Sequence, residues 1–592
     1  MVVSCFYDVD YLKLTQLYES LAATSKRLAK TQILADFFSS QRTYVSHLFY
    51  LVQGRIFPDW DERKIGVASR LVIKALCRVT GATEKKISTL LVKYGDLGLV
   101  AEALLNSRAQ TTLASSSLTV VFLYKKLCAL VELSGDQMVE RKVQLLSELF
   151  SNASGVEAKY LVRTILDEMR IGLGEGGMRD ALLWAYFSLD IGLSYAVEKN
   201  VVTYAHPELA QEIAAEIQRA YDLTCDFAEV VRVILESGRQ GLSSLSLAVG
   251  KPVKVMLYLK ADSLASAFEK LGPQVAIEYK FDGFRCEVHK KGDEVLLFTR
   301  RLENVTAQFP DVVTAVRKSL KVKEGIFDGE VIGFDPVGKR WVPFQKISQR
   351  ILRKHGILAM AQQVPVVLQL FDVLSVGGKT VLDEPFSSRR ALLVHSVTST
   401  SGCQIAEQLV TSSLEKAHAF YEKSLSLGNE GVMVKSLSSV YQPGARIGFG
   451  MKVKPTLETL DLVIIGATWG SGKRSSAFSS FAVACRDRGS YLSLGMVGSG
   501  VKEKKEQGLS FSALTALLTP LITARSGTSV DVRPQIIVEV ACEEIQQSPT
   551  YAAGFALRFP RILRLRPDKA LTDVTSLRTI TQLHASQRAR HL

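Results

Sequence analysis

Apolar residues recur at helical spacing through the first 240 positions. Leu14, Leu17, Leu21 and Leu28 make one stripe, Ile33, Leu34, Phe37 and Phe38 the next, and Val143, Leu146, Leu149 and Phe150 a later one. Tyr160 to Met169 continues the pattern, so residues 1–245 are predicted to form an all-α domain, helical throughout. Lys26, Arg27, Lys30, Lys159, Arg163, Arg170 and Arg179 fall between the apolar positions, and each taken singly fits a solvated helix face. Segment 170–179 carries four glycines. It either turns the chain between helices or offers backbone N–H groups to a phosphate.

The pattern changes where glycine and serine collect, at Ser237, Gly238, Gly241, Ser243, Ser244 and Ser246. Short alternating runs follow at 274–280, 285–290, 294–300, 326–334 and 365–374, with a hairpin turn at Lys290–Asp293. Helical patterns at 307–320 and 413–425 sit between them, which predicts an α+β domain of antiparallel sheet over 246–457. From Asp461, strand-like runs recur at 462–466, 481–485, 491–496, 536–540 and 562–565, with a helical stretch near 510–523. Five such strands predict a small β-barrel of the OB-fold type over 458–592. Linkers are expected near 245 and 458, and a loosely docked tail after Ile580.

At 592 residues the chain exceeds one hydrophobic core, and its 47% hydrophobic and 22% charged residues are those of an ordinary globular protein. The net charge of +14 fits a polyanionic partner such as nucleic acid, or a basic surface with no partner. Eight cysteines without a C-x-x-C pair argue against zinc and against a disulfide scaffold, and fit a reducing compartment. No apolar run approaches 18 residues, so neither membrane spanning nor secretion is expected.

Charged residues stand at the ends of the predicted central strands. Glu278-Tyr279-Lys280-Phe281-Asp282-Gly283-Phe284-Arg285 closes the first, behind Val275, Ala276 and Ile277. A lysine there suits amine attack on a phosphate, provided desolvation and positive neighbours such as Arg285 lower its pKa. Arg300 and Arg301 end another strand and point to opposite faces, so one can reach a phosphate. Asp328-Gly329-Glu330 puts acids into an apolar strand, where a ribose hydroxyl or a metal ion would offset the cost of burial. Phe371 by itself reads as a core residue. Glu430 and Lys435 bracket a further strand; Arg446 follows, and Lys452 and Lys454 alternate onto one face. Near the C-terminus Arg558, Arg561, Arg564, Arg566 and Lys569 form the densest basic cluster.

Taken in order, Lys280-x-Asp282-Gly283, Arg300, Asp328-Gly329-Glu330, Phe371-Asp372, Glu430-Gly431-Val432-Met433-Val434-Lys435 and Lys452-x-Lys454 resemble the motifs of ATP-dependent DNA ligases. These are covalent nucleotidyltransferases, and the likeness is closest to the archaeal type. It extends from Ser25–Leu28 through Glu157–Leu161 into the C-terminal domain. The resemblance implies a lysyl-AMP enzyme, then an adenylated 5′-phosphate, then a sealed nick in duplex DNA, in replication, repair and recombination. It implies that Lys280 takes AMP, Glu278 reads the adenine amino group and Phe371 stacks on the base. Glu330 would contact the ribose and, with Glu430, hold Mg²⁺ (or Mn²⁺). Arg285, Arg300, Arg446, Lys452 and Lys454 would hold phosphates, and Arg566 and Lys569 would orient the leaving pyrophosphate. The partners implied are ATP, nicked double-stranded DNA and, as a candidate, a sliding clamp, for a monomer in a prokaryotic, archaeal cytoplasm. Gly450 stands where such families often carry tryptophan, and Pro567 where archaeal relatives often carry an acid. An RNA ligase, a capping guanylyltransferase and a silent duplex-binding scaffold are the rival readings; the long helical domain speaks against capping.

Overall fold

The computed structural model describes residues 9–589 apart from 41–45, 108–117, 136, 336–339, 343, 352, 354, 456–458, 471–473, 475 and 504–507. The expected link at 458 lies outside the described residues.

Helices from Tyr11–Ala23 to Phe227–Leu242 bury one apolar cluster that runs from Tyr11 to Leu242. The region is not helical throughout. β1 (Leu193–Ala196) and β2 (Val201–Tyr204) form an antiparallel hairpin, closed through Asn200 at φ 51°. Val201, Val202 and Thr203 are β-branched, but four-residue strands are too short to break a helical pattern read over longer windows. The glycine segment 170–179 is a turn between helices Gly155–Ile165 and Glu175–Phe187, with the Lys30 ammonium on the Ile171 carbonyl.

Two sheets form the central region. The first has the order β10–β9–β7–β5–β6, with β8 beside β7 and β11 beside β9. Its strands are β5 (Phe284–Lys291), β6 (Glu294–Thr299), β7 (Glu324–Asp335), β8 (Arg340–Val342), β9 (Val366–Val376), β10 (Lys379–Thr380) and β11 (Cys403–Ile405). The second has the order β12–β4–β13–β14–β3. It comprises β3 (Leu257–Ala261), β4 (Val275–Lys280), β12 (Gln408–Thr411), β13 (Gly431–Ser436) and β14 (Arg446–Val453). Pairing is antiparallel as expected, except that β11 runs parallel to β9 and β3 parallel to β14. One face of the first sheet packs Cys286, Val288, Phe327, Val331 and Leu368 against Val312 and Val316 of helix Pro310–Ser319. Ile332 and Val367 of the first sheet meet Ile277, Val432 and Val434 of the second, so apolar contact joins the sheets and their polar rims share a cleft.

The C-terminal region holds nine strands among the described residues, four more than the alternation predicts. β15 (Leu460–Trp469) pairs on one edge with β16 (Phe478–Asp487), which continues to β17 (Ser490–Val497). On its other edge β15 pairs with β19 (Ser529–Val532) and β20 (Ile537–Ala541); β18 (Ile522–Ser526) flanks β19, and β23 (Arg561–Leu565) flanks β20. β21 (Glu544–Gln547) and β22 (Phe555–Arg558) form a separate hairpin. The overlooked β18 is exposed at four of five positions, so it has no apolar alternation to betray it. The helix expected over 510–523 stops at Leu518, and a short 3₁₀ turn leads into β18. The tail expected to fray instead forms helix Leu577–Ala589, with Ile580 fully buried and Gln587 Oε1 accepting the Ile545 N–H at 3.1 Å.

Candidate active site

Lys280 ends β4 directly opposite Gly431, the first residue of β13, and the Glu430 N–H donates to the Lys280 carbonyl at 2.8 Å. Two motifs about 150 positions apart thus meet at one rim. Glycine is required at both joints. A Cβ on Gly431 (φ +143°) would lie 2.1 Å from the Val453 carbonyl, and one on Gly283 would lie 2.3 Å from the Val331 carbonyl. The Lys280 ammonium reaches Glu430 Oε2 at 2.7 Å, and Lys454 reaches the same oxygen at 2.5 Å. Glu330, on β7, faces the same cleft. Burial raises its carboxyl to about 8, with Lys280 pulling the other way and Glu430 adding to the rise.

The electrostatics correct the expectation for Lys280. Burial alone would lower its pKa, but Glu430 and Glu330 outweigh burial and hold the ammonium above the ordinary lysine range. The positive neighbours Lys452 and Lys454 stand at the end of β14, two strands from β4. Lys452 is lowered by burial and by Lys454, Lys280 and Arg300. Glu430 lies well below the usual carboxylate range, against the effect of burial, because Lys280, Lys454 and Arg558 surround it.

A buried polar and aromatic cluster lies behind Lys280. Glu278 is buried, pairs with Lys435 at 2.6 Å and accepts from Gln408 at 2.9 Å, with Arg390 3.6 Å away. The Lys435 ammonium sits 4.8 Å from the centre of the Phe371 ring and 4.5 Å from that of Phe386. Phe371 is the extra residue of a β-bulge, since Asp372 pairs with Asp328 and Leu370 with Gly329. Such a bulge re-aims a side chain, here onto the apolar cluster between the two sheets, against the Lys435 ammonium. The Tyr258 ring fills the space beside Gly450, where a Cβ would lie 2.3 Å from Tyr258 Cε1. An aromatic ring from β3 therefore occupies the neighbourhood in which a tryptophan was expected.

Arg285 faces Glu330 across β5 and β7, and its Nε lies 2.7 Å from Asp328 Oδ1. Arg300 lines a cavity of about 1130 Å³ between the helical and central regions, together with Arg55, Arg63, Lys64, Lys254 and Arg301. Arg446 opens β14, but its side chain lies outside the described residues. Arg566 and Lys569 are not brought to Lys280. Arg566 pairs with Asp461 at 2.8 Å and Asp568 at 2.9 Å, and Lys569 lies 3.8 Å from Asp461. Arg558 takes the place by the cleft. Its Nη1 stands 3.3 Å from Glu430, 3.5 Å from Asp282 and 2.9 Å from Glu544, while Glu543 meets Lys454 at 3.1 Å. Sequence reasoning placed Arg558 only in a basic run and gave Lys435, Gln408 and Arg390 no role.

Glu330 and Glu430 offer hard carboxylate oxygens, and a cation beside Glu330 would offset the burial that raises its carboxyl. Among the described residues no three His, Cys, Asp or Glu side chains gather as a metal cage. Mg²⁺ commonly takes one or two protein carboxylates and fills its shell with water and substrate phosphate, so two carboxylates match its usual protein share. No helix of the described residues is long and apolar enough to cross a membrane.

Three family models match the chain in order: "DNA ligase N terminus" over 10–183, "ATP dependent DNA ligase domain" over 255–454 and "ATP dependent DNA ligase C terminal region" over 474–569. The DNA ligase of Nanoarchaeum equitans (strain Kin4-M) is 42% identical over 98% of this chain and 99% of its own length. That of Thermococcus onnurineus (strain NA1) is 39% identical over 98% of each. A solved structure, Pmar-Lig_PreS3, shares the fold with a TM-score of 0.54 at 15% identity, covering 93% of this chain and 99% of its own. With that likeness running along nearly the whole chain, the protein belongs to the ATP-dependent DNA ligases.

Proposed function

We propose that this ligase seals nicks in duplex DNA with Lys280 as its nucleophile. The observation that carries the assignment is the Lys280 ammonium held 2.7 Å from Glu430 in the cleft between two sheets, with Glu330 opposite. The amine, once free of its proton, attacks the α-phosphorus of ATP; an N–P bond forms and pyrophosphate leaves. AMP then passes from Lys280 to the 5′-phosphate at the nick. The 3′-hydroxyl attacks that activated phosphate, joining the strand and releasing AMP. Glu430 above all keeps the resting amine protonated, so neutralising its charge frees the nucleophile.

Glu278, already fixed as an acceptor by Lys435 and Gln408, would take the adenine amino group, and Phe371 would stack on the ring. Arg285, Arg300, Arg446, Lys452 and Lys454 would hold phosphates, where charge develops as each bond breaks. Glu330 and Glu430 would hold Mg²⁺ or Mn²⁺, which supplies charge neutralisation at the phosphate oxygens when bound. Arg566 and Lys569 reach pyrophosphate only if the C-terminal region turns relative to the central one, a rigid-body change of a common kind.

The domains are read as 1–245, 246–457 and 458–592, the last as an OB-type barrel, acting as a monomer in a prokaryotic cytoplasm. The helical and C-terminal domains would grip duplex through its phosphates, so binding should weaken as salt rises. Incubation with α-labelled ATP and Mg²⁺ tests the assignment: covalent AMP is expected on the native chain and none on Lys280→Ala. Equal labelling of both proteins, or sealing of nicked RNA in preference to nicked DNA, would overturn it.

A further inference from the structure

Three polar side chains share one face of β5, Arg285, Glu287 and His289, each two positions from the next. Glu287 and His289 are fully buried, although the opposite face of the strand already holds Cys286 and Val288 in an apolar core. Two buried polar groups that the transfer chemistry does not use are costly unless they are satisfied, and here every contact is made. His289 Nδ1 accepts the Gly250 N–H at 2.9 Å, so the ring proton sits on Nε2 and faces Glu287 Oε1 at 2.8 Å. The same Oε1 accepts the Val253 N–H at 3.0 Å, and Glu287 Oε2 accepts from Arg285 Nη2 at 3.1 Å.

The far end of this chain is the cleft. Arg285 Nη2 also donates to the Tyr441 hydroxyl at 3.2 Å, and Tyr441 donates to Asp328 at 3.0 Å. Nε forms an ion pair with Asp328, so three side chains hold the guanidinium, yet its buried Nε and Nη1 make no hydrogen bond among the described residues. A buried donor held rigid and left unpaired, on the face that carries Glu330, is a donor kept for a ligand. The near end is the segment that leaves the helical region. Lys251 pairs there with Glu229 at 2.7 Å, and Lys254 with Glu175 at 2.5 Å. One stretch of backbone is therefore tied to helices through its lysines and to β5 through its amides.

We propose that Glu287 and His289 are positioning residues for nucleotide binding: they lock Arg285 on the face that carries Glu330, with Nη1 left unpaired, and anchor that lock to segment 250–256. The proposal rests on the reading of Arg285 as a phosphate-holding residue, and the test separates the two.

The rate of enzyme–AMP formation is followed against ATP concentration for Arg285→Gln, Glu287→Gln and the double variant. Both single variants are expected to raise the half-saturating ATP concentration about tenfold, with the maximal rate changed less. The double variant should match Arg285→Gln, because the effects pass through one guanidinium. His289→Leu is expected to act like Glu287→Gln and to speed amide hydrogen exchange at 250 and 253. His289→Gln, which can still accept from Gly250 and donate to Glu287, should recover most of the affinity. If Glu287→Gln fails to fold, the His289 pair alone decides. A merely structural role would lower the melting temperature and leave the half-saturating ATP concentration of the folded fraction unchanged, which overturns the proposal, as do additive effects in the double variant. An Arg285→Gln protein with native ATP dependence would overturn the reading of Arg285 itself, and the proposal with it.

Discussion

Replacing Arg558 with alanine removes the cation that bridges the C-terminal region to the rim of the Lys280 cleft. The Arg558 guanidinium faces Glu430 at 3.3 Å and Asp282 at 3.5 Å across that boundary, and Glu544 at 2.9 Å within its own hairpin. At about 3.4 Å and an effective dielectric constant of about 20, each crossing pair is worth ~5 kcal/mol before desolvation. Desolvation and lost side-chain freedom cancel most of that. Arg558 is 24% exposed and Glu430 14%, which places the pairs between surface bridges near 0–1 kcal/mol and buried ones whose rupture costs about 3–5 kcal/mol. A net contribution of about 1–2 kcal/mol to the docked arrangement follows, or about a 5- to 30-fold change in its population. The Lys454–Glu543 pair at 3.1 Å remains, so docking should weaken without being lost. If duplex is gripped only while the C-terminal region is docked, the apparent dissociation constant rises as the docked population falls. Arg558→Ala is thus expected to weaken binding of nicked duplex about 5- to 30-fold at fixed salt, measured by fluorescence anisotropy, and to slow sealing at subsaturating DNA by a similar factor. Unchanged nick affinity, or faster sealing, would refute this account of the docked arrangement.

Burial raises the Asp222 carboxyl to about 6, against its Gln218 hydrogen bond at 2.9 Å. An acid whose folded pKa exceeds its unfolded value near 3.8 favours the fold at low pH, and that contribution is lost as pH rises through about 6. Asp222→Asn should therefore gain about 1–2 kcal/mol at pH 8, after discounting for partial exposure, with the gain shrinking toward pH 4 in urea denaturation. A gain independent of pH would exclude the titration. Gly450→Ala should lose about 1–3 kcal/mol by overpacking against the Tyr258 ring, and Gly450→Ala/Tyr258→Ala should cost less than the two single changes added. Calorimetry decides this, and strict additivity would mean that the ring does not occupy the site.

The long central strands were legible because each pairs a buried apolar run with a charged end, whereas β3, β8, β10, β11 and β12, of two to five residues, escaped notice. The polar, exposed β18 and the four-residue strands of the β1–β2 hairpin carried no comparable signal. Lys280, Glu330 and Glu430 were singled out through the resemblance of their motifs, and the fold brings all three within electrostatic reach of one another. Local sequence held no information on how their charges balance, and that decided whether the resting lysine is protonated.

The sequence by itself determined the family, the order of helical, central and strand-rich regions, and the residue types at the transfer site, because these depend on periodicity and on motifs a few residues long. Only the tertiary structure decided which charges meet. The Glu430–Lys280 pair, the β-bulge that turns Phe371 toward Lys435, the Tyr258 ring beside Gly450 and the Arg558 bridge join positions up to about 280 residues apart. Coulombic and packing energies depend on distance through space, which chain order alone does not specify.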